Sequence, residues 1–274
     1  MAGPGRAQNA HVSRLDRSGY RLEFEDDFNA ETLDLTRWLP HYLPQWSSQA
    51  ASAARFAFGD GVLHLRIERD QQPWCPEWDG GLRVSSLQTG LFAGPVGSPV
   101  GQHRFGPDVV VREAQKPAVL YTPMYGLIEC RARAIADRAN MVALWMIGYE
   151  DRPERSGEIC IFEIFGRDVG PGSVAVGMGV HPFGDRSIVD DFDRVTLAID
   201  ALEFHAYAAE WTEERVRFYI DERLVREVRQ SPAYPMQLML GIYEFADGST
   251  PPSPALSYPK EFVVDWVRGW RRTA

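Results

Sequence analysis

This chain lacks several features that mark whole classes of protein. No apolar run approaches the ~20 residues that a membrane-spanning helix needs, so we expect no membrane partner. Three cysteines are an odd number, which predicts no disulfide framework. They also form no cluster with histidines at the spacing of a zinc site. A net charge of −9 argues against nucleic acid or an anionic membrane as a partner.

Helical periodicity is also scarce, whereas strand-like alternation recurs. Residues 61–68, 126–133 and 215–220 alternate apolar and polar side chains, and Asp221-Glu222 after the last of these predicts a hairpin turn. The 24 glycines and 19 prolines suit many short strands and turns. The pattern predicts an all-β fold, either a sandwich or a barrel.

The chain of 274 residues is long enough for one domain with a sizeable core. Residues 1–18 are expected to form a flexible tail, and residues 19–274 a single domain that acts as a monomer. The first residues lack the apolar core of a signal peptide. The protein is therefore expected either to stay inside the cell or to be exported and to have lost its signal.

Two glutamates five positions apart interrupt an apolar, β-branched run, Glu158-Ile-Cys160-Ile-Phe-Glu163. Such a run predicts a buried or half-buried strand. Because side chains alternate faces along a strand, the odd offset would send Glu158 and Glu163 to opposite faces. One β-bulge between Cys160 and Glu163 would bring both glutamates and Cys160 to one face. Two solvent-facing carboxylates on an edge strand are the alternative.

Converging carboxyl groups can share nucleophilic and acid/base chemistry at a glycosidic bond. Cleavage with retention needs them about 5–5.5 Å apart, and inversion roughly 6.5–9.5 Å. One group attacks the sugar carbon, while the other, with a raised pKa, protonates the leaving oxygen.

Six segments, in order along the chain, resemble glycoside hydrolase family 16, the laminarinase, lichenase and agarase group. The central one is similar to the bulge-containing signature E-x-D-x-x-E of this family, with Cys160 where Asp is usual. The segments are residues 24–29, 125–131, 143–146, 158–163, 204–212 and 265–268.

The resemblance implies a concanavalin A-like jelly roll of two antiparallel sheets, with the substrate across the concave sheet. It implies that Glu158 is the nucleophile and Glu163 the general acid/base of a retaining endo-glycosidase. The expected substrate is β-1,3 or mixed β-1,3/1,4 glucan, cleaved without a catalytic cofactor. A weakly active or inactive carbohydrate-binding relative, or a transglycosylase of the same fold, are the alternatives.

Cys160 is a departure with chemical consequences. A thiol is a weak donor and mostly neutral at pH 7, so it adds no third negative charge to the site. Relative to an Asp, it should therefore lower the pKa of the neighbouring glutamates. Loss of the usual helper should slow the reaction by roughly one to a few decades.

The candidate substrate-binding residues combine aromatic platforms with polar groups. Trp145 precedes the glutamate strand, and a core position is its alternative. Trp74 and Trp78 would form one wall of the cleft. His181 ends a strand and shares one of its faces with Ala175, Gly177 and Gly179, whose small size would leave room for sugar; a structural histidine is the alternative.

Three further expectations depend on the resemblance. Arg83 resembles an arginine that faces sugar in the family. Asp265 matches an acid at a structural calcium site of many members, far from the chemistry. Met141 and Gly241 stand where the family often has a Trp and a sugar-binding Asn, which puts the substrate in doubt more than the chemistry.

Overall fold

A computed structural model describes residues 13–245 and 258–273. Strands account for most of the regular structure. They are, in chain order, β1 (Tyr20–Asp26), β2 (Arg55–Gly59), β3 (Val62–Ile67), β4 (Arg83–Gln88), β5 (Gly90–Leu91), β6 (Ala118–Val119), β7 (Gly126–Arg133), β8 (Asn140–Gly148), β9 (Glu158–Phe165), β10 (Val169–Gly170), β11 (Ser173–His181), β12 (Asp191–Leu197), β13 (His205–Trp211), β14 (Val216–Ile220), β15 (Arg223–Val228), β16 (Met236–Glu244) and β17 (Lys260–Arg272).

Helices are short, as the weak helical periodicity predicts. Among the described residues, two α-helices, α1 (Gln49–Ser52) and α2 (Pro76–Asp79), have four residues each, and 3-10 turns span Pro44–Trp46 and Gly166–Asp168. In the described part of the chain, no helix has the length and apolar character to cross a membrane.

Two antiparallel sheets form the sandwich. The first has the strand order β15-β14-β13-β7-β17-β3-β2, with β1 also paired to the long strand β17. The second has the order β10-β11-β9-β8-β16-β4, with β12 paired to β11. Non-consecutive neighbours, such as β7 beside β17, arise from the crossovers of a jelly roll. The predicted all-β sandwich is confirmed.

The main core fills the space between the sheets. Strand β16 supplies Leu238, Leu240 and Ile242 to it, and β9 supplies Ile159 and Phe162. All nine residues of β16 are buried, because loops cover the opposite face of this strand. A strand buried on both faces is expected to be a continuous apolar run, and residues 238–243 of β16 are one.

The predicted hairpin at Asp221-Glu222 is also confirmed. Ile220 pairs with Arg223 across it, and both turn residues have positive φ angles, 47° and 65°. A two-residue turn with φ above zero at both positions matches the right-handed twist of the strands that it joins.

The predicted tail divides into two parts. Residues 1–12 lie outside the described residues. Residues 13–18 pack on the first sheet: the Leu15 N–H donates to the Glu222 carbonyl at 2.8 Å, and Arg17 binds the buried Glu129 carboxylate. The packed structure therefore includes residues 13–18, which the sequence assigned to the tail.

Candidate active site

Strand β9 contains the β-bulge that the glutamate spacing predicts. On the β8 side, Leu144 pairs with Phe162 and the next residue, Trp145, pairs with Cys160. Ile161 is therefore the extra residue. On the β11 side, the register also shifts, with Gly177 opposite Glu163 and Gly179 opposite Cys160. The predicted bulge is confirmed.

The bulge brings the three side chains to one cavity. Glu158, Cys160 and Glu163 all line a cavity of about 200 Å³. Ile159 and Ile161 belong to the core between the sheets. The cavity thus lies on the face of the second sheet that points away from the main core. Glu158 and Glu163 are not solvent-facing carboxylates on an edge strand, because β9 lies between β8 and β11.

Glu158 is almost fully enclosed, with 9% of its surface exposed. Burial raises its pKa to about 8, and the nearby negative charge of Glu163 acts in the same direction. Within residues 13–245 and 258–273, no hydrogen bond or ion pair joins its carboxyl group to another side chain. Nothing there offsets the cost of burying its charge.

Glu163 lies in a more polar environment. Burial raises its pKa, while the positive charges of Arg194, His181 and Arg167 oppose that effect. Arg194 is 3.6 Å from its carboxylate. The guanidinium groups of Arg167 and Arg194 also pack against the ring of Phe165, at 4.0 and 4.6 Å from its centre. This end of the cavity is therefore more positive than the Glu158 end.

Cys160, where the resemblance would place a helper Asp, makes only a weak polar contact in the cavity. The side chain is 2% exposed, and its Sγ contacts the carbonyl oxygen of Gly177 at 3.9 Å. Burial, together with the charges of Glu158 and Glu163, raises the thiol pKa well above its usual value. The thiol therefore stays neutral. A neutral thiol was expected to lower the pKa of Glu158 relative to a site with Asp. Burial nevertheless keeps the pKa of Glu158 above its usual value.

Trp145 lines the cavity, as predicted, but its position is also that of a core residue, with 6% exposed. Its Nε1–H donates to the hydroxyl of Tyr243 at 2.9 Å. Tyr243 lines the cavity too and was missed by sequence reasoning. The sequence did offer a signal for Tyr243. It lies two positions after Gly241 on β16, so the two residues face the same side of the strand.

The packing of Tyr243 explains why position 241 is a glycine. A Cβ atom at position 241 would lie 3.1 Å from the Tyr243 hydroxyl and 3.2 Å from Ser86. The space of a longer side chain is therefore already occupied, and the Asn common in the family would not fit without movement. Met141 also lines the cavity. One of the two departures from the family pattern thus lines the cavity, and the other packs against the lining residue Tyr243.

His181 and Arg83 do not line this cavity. His181 pairs with Glu158 across the strands, but its Nδ1 contacts Asp190 at 2.5 Å and its ring stacks on Phe192. Arg83 forms an ion pair with the buried Glu244 at 3.0 Å. Both side chains therefore already have protein partners.

The small residues of β11 do not leave room for sugar as expected. A Cβ at Gly177 would lie 2.5 Å from the ring of Phe192, and one at Gly179 would lie 2.2 Å from the carbonyl oxygen of Asp191. The neighbouring strand β12 fills that space. The glycines permit close approach of β12 instead.

The two predicted wall tryptophans lie behind the cavity surface. Trp74 is 1% exposed and packs against Tyr42, a residue that does line the cavity. Trp78 is half-buried, with the guanidinium of Arg112 over its ring. Trp74 thus supports a lining residue from behind, and neither tryptophan forms the cavity surface.

Asp265 is paired with Arg131 across the first sheet. Among the described residues, no three His, Cys, Asp or Glu side chains cluster in a way that could hold a metal ion. Calcium requires six to eight oxygen ligands. The calcium site predicted at Asp265, which would need backbone oxygens as further ligands, stays a prediction.

Comparison with known proteins agrees with the fold. The model of glycosyl hydrolases family 16 matches residues 120–268. This range includes the whole of β9, and it covers more than half of the chain. The chain belongs to glycosyl hydrolases family 16.

Several relatives are similar over most of this chain. The endo-1,3-1,4-β-glycanase EglC of Rhizobium meliloti is 26% identical over 93% of this chain and 53% of its own length. The glucan endo-1,3-β-glucosidase A1 of Niallia circulans is 22% identical over 93% of this chain and 38% of its own length. This chain thus spans about half the length, or less, of these relatives.

Two solved structures illustrate the range of likeness. A GlcNAcα1-4Gal-releasing endo-β-galactosidase from Clostridium perfringens has a TM-score of 0.79 and 28% identity, over 95% of this chain and 65% of that chain. The laminarinase catalytic domain from Thermotoga petrophila has a TM-score of 0.63 and 16% identity, over 93% and 99%. The likeness to the laminarinase shows the fold alone.

Proposed function

We propose that this protein is a retaining endo-glycosidase that cleaves β-linked glycans by double displacement. The observation that carries the proposal is the bulge at Ile161, which turns Glu158 and Glu163 into the same cavity. A regular strand would have separated them. A buried and a half-buried carboxyl group in one aromatic-lined cavity suit nucleophilic and acid/base work on a glycosidic bond.

In the first step, the ionised Glu158 attacks the anomeric carbon, and Glu163 gives its proton to the departing glycosidic oxygen. A covalent glycosyl-enzyme results. In the second step, Glu163 takes a proton from water, the water oxygen attacks the same carbon, and the bond to Glu158 breaks. Two inversions leave the configuration of the anomeric carbon unchanged.

The electrostatics of the pair bear on the rate. Both pKa values are raised, and the state that reacts has the proton on Glu163 and not on Glu158. Arg194 favours the opposite arrangement, because its positive charge stabilises an ionised Glu163. A slow enzyme with a small reactive fraction at neutral pH is therefore expected, in line with the loss of the helper Asp at Cys160.

The substrate that we propose first is β-glucan, with β-1,3 or mixed β-1,3/1,4 linkages. Its support is the pair of curated relatives whose names state activity on such glucans. A glycan cleaved at a β-galactosidic bond is the second candidate. It is favoured by the TM-score of 0.79 and the 28% identity to the Clostridium endo-β-galactosidase.

The test is an activity screen on laminarin, lichenan, agarose, xyloglucan and a glycoprotein that carries GlcNAcα1-4Gal chains. New reducing ends and product sizes are measured for the wild type, Glu158→Gln and Glu163→Gln. We expect cleavage of one of the five substrates by the wild type and of none by either variant. Activity that survives in both variants would refute the assignment.

The same screen separates the alternative functions. Retained binding of a polysaccharide without cleavage would favour a carbohydrate-binding relative, and products longer than the substrate would favour transfer to a second sugar. The anomeric configuration of the first product, followed by NMR, distinguishes retention from inversion.

A further inference from the structure

The end of the catalytic cavity beyond Glu163 carries two arginines, although the whole chain has a net charge of −9. Arg167 lies in the 3-10 turn that follows β9. Arg194 lies on β12, where it pairs with Gly177 of β11, which pairs in turn with Glu163. Two separate segments of an acidic protein thus bring positive charge to one side of the general acid.

One phenylalanine supports both guanidinium groups. Those of Arg167 and Arg194 pack against the ring of Phe165, at 4.0 and 4.6 Å from its centre. Phe165 is half-buried, two positions after Glu163 on β9, and its ring stacks at 5.8 Å on Phe245, which lines the catalytic cavity. A guanidinium group is attracted to an aromatic face and keeps its N–H groups, which lie at its edge, free to donate. The two charges are therefore held beside the cavity.

The positive charge of the two arginines is only partly neutralised. Arg194 donates to Asp168 at 2.7 Å and lies 3.6 Å from the carboxyl group of Glu163. Arg167 is exposed and has no hydrogen bond or ion pair among the described residues. Glu163 is uncharged in the state that protonates the leaving oxygen, so Asp168 then balances one arginine and the other has no described partner.

The place of these charges relates them to the leaving part of the substrate. Phe165 and Arg167 follow Glu163 along the chain, on the side away from Glu158. A group that binds there belongs to the part of the glycan that departs when Glu163 donates its proton. Both arginines also favour an ionised Glu163, whereas the reaction needs the proton on it. An anion bound to the arginines would cancel that effect.

We propose that this end of the cavity binds an anionic group, a sulfate ester or a carboxylate, on the leaving part of the glycan. Arg167 and Arg194 would donate N–H bonds to its oxygens, a contact for which guanidinium groups are well shaped. The inference rests on the proposed function, since Glu163 as the general acid defines the leaving part, and it narrows the substrate to an acidic glycan. A neutral chain with the same linkage would be cleaved more slowly.

The experiment compares three forms of one backbone. Laminarin and agarose are each tested unmodified, chemically sulfated and carboxymethylated, and the two charged forms show which anion is preferred. For one charged form, kcat/KM should exceed that of the unmodified chain by about tenfold, from contacts with two arginines. Arg167→Gln should lower this ratio by about threefold to fivefold, the upper range for one exposed ion pair. Equal kcat/KM for all forms, or a ratio that Arg167→Gln leaves unchanged, would overturn the proposal.

Arg21→Gln is the matched control. Arg21 is an exposed residue of β1, in the first sheet, and its replacement removes the same charge as Arg167→Gln. This variant should keep the ratio of the wild type, because charges that are distant and exposed to solvent are screened by salt. A fall equal to that in Arg167→Gln would assign the effect to the net charge of the protein and would contradict the site.

The pH dependence of kcat distinguishes an anion beside Glu163 from general attraction of a charged chain. A bound anion offsets the arginines and raises the pKa of Glu163, so the proton stays on it to higher pH. The alkaline limb should therefore lie at higher pH for the preferred charged form than for the unmodified chain. Coincident limbs would count against the proposal. The charged groups around Glu163 are, by element, Arg194 on β12, His181 on β11, Glu158 on β9, and Arg167 and Asp168 in the turn after β9.

A binding measurement keeps the anion site distinct from the chemistry. The sulfated and unmodified chains are titrated into Glu158→Gln, with and without Arg167→Gln. Affinity for the sulfated chain should be higher than for the unmodified chain, and Arg167→Gln should remove most of that difference. No cleavage of any form by the wild type would overturn the proposed function. Equal affinity of Glu158→Gln for the sulfated, carboxymethylated and unmodified chains would instead overturn the anion site.

Discussion

Replacement of Cys160 by Asp restores the residue that is usual in this family and tests how the cysteine affects the reaction. The cysteine makes one weak contact, at 3.9 Å to the Gly177 carbonyl, and is neutral. An Asp at the same position could donate a hydrogen bond to Glu158 when protonated. That bond would stabilise the ionised nucleophile, which no described side chain now does. We expect Cys160→Asp to raise kcat on the substrate that the screen selects.

Two magnitudes follow from the burial of this position. Recovery of one helper group should increase kcat by about tenfold or more, somewhat less than the roughly 100-fold to 10,000-fold that a positioned general acid or base contributes. A new polar group at a position that is 2% exposed should also destabilise the fold. Its cost is about 1–3 kcal/mol, which corresponds to a fall in Tm of roughly 2–12 °C. Activity and stability should therefore change in opposite directions.

The assay measures kcat and KM at several pH values, together with Tm by calorimetry. Cys160→Ala removes the thiol without adding a carboxyl group, and it should keep kcat within about threefold of the wild type, as expected for loss of one weak contact. Cys160→Asn has the shape of Asp without its ionisation, and it separates hydrogen bonding from charge. A folded Cys160→Asp protein with a lower kcat than the wild type would refute the reasoning.

The remaining predictions concern ionisation and stability. Because Glu158 must be ionised to attack and has a pKa of about 8, kcat/KM should rise by about tenfold per pH unit below that value in a pH–rate series. The same raised pKa means that the folded state keeps a proton that the unfolded state loses, so stability falls as pH rises from about 4.5 to about 8. Glu158→Gln should therefore have a higher Tm than the wild type at pH 8 and nearly the same Tm at pH 5. An equal increase at both pH values would contradict the predicted fall of stability with rising pH. Arg194→Gln removes a positive charge 3.6 Å from Glu163, which should raise the pKa of that group and move the alkaline limb of the pH–rate profile to higher pH. Lys260→Met leaves the buried Asp137 without its ion-pair partner and should lower the free energy of unfolding by about 3–5 kcal/mol in urea, whereas addition of Asp137→Leu should restore most of it. A Lys260→Met variant as stable as the wild type would contradict a stabilising role for the Lys260–Asp137 ion pair.

Local pattern was enough to predict the all-β fold, the hairpin at Asp221-Glu222 and the bulge in β9. The reason is that alternation, turn chemistry and an odd spacing between two acids are local properties of the chain. A strand has a side-chain period of two, so Glu158 and Glu163 can share a face only through a bulge. The structure has that bulge at Ile161.

Residues whose roles depend on long-range contacts could not be assigned in the same way. Trp74 and Arg83 have residue types that suit a sugar site, yet one is buried behind Tyr42 and the other is paired with Glu244. Tyr243 and His103 reach the catalytic cavity from a strand and a loop that are distant in sequence from Glu158. No local pattern specifies which loops fold over a sheet face.

The sequence by itself thus determined the kind of fold and the pair of acids, since both follow from side-chain periodicity along single strands. Only the tertiary structure decided the environment of those acids. Loops that close over β8, β9 and β16 bury Glu158 and raise its pKa, and β12 places Arg194 beside Glu163. Burial and Coulomb interactions act through space, so they depend on which segments pack together and not on the order of residues along the chain.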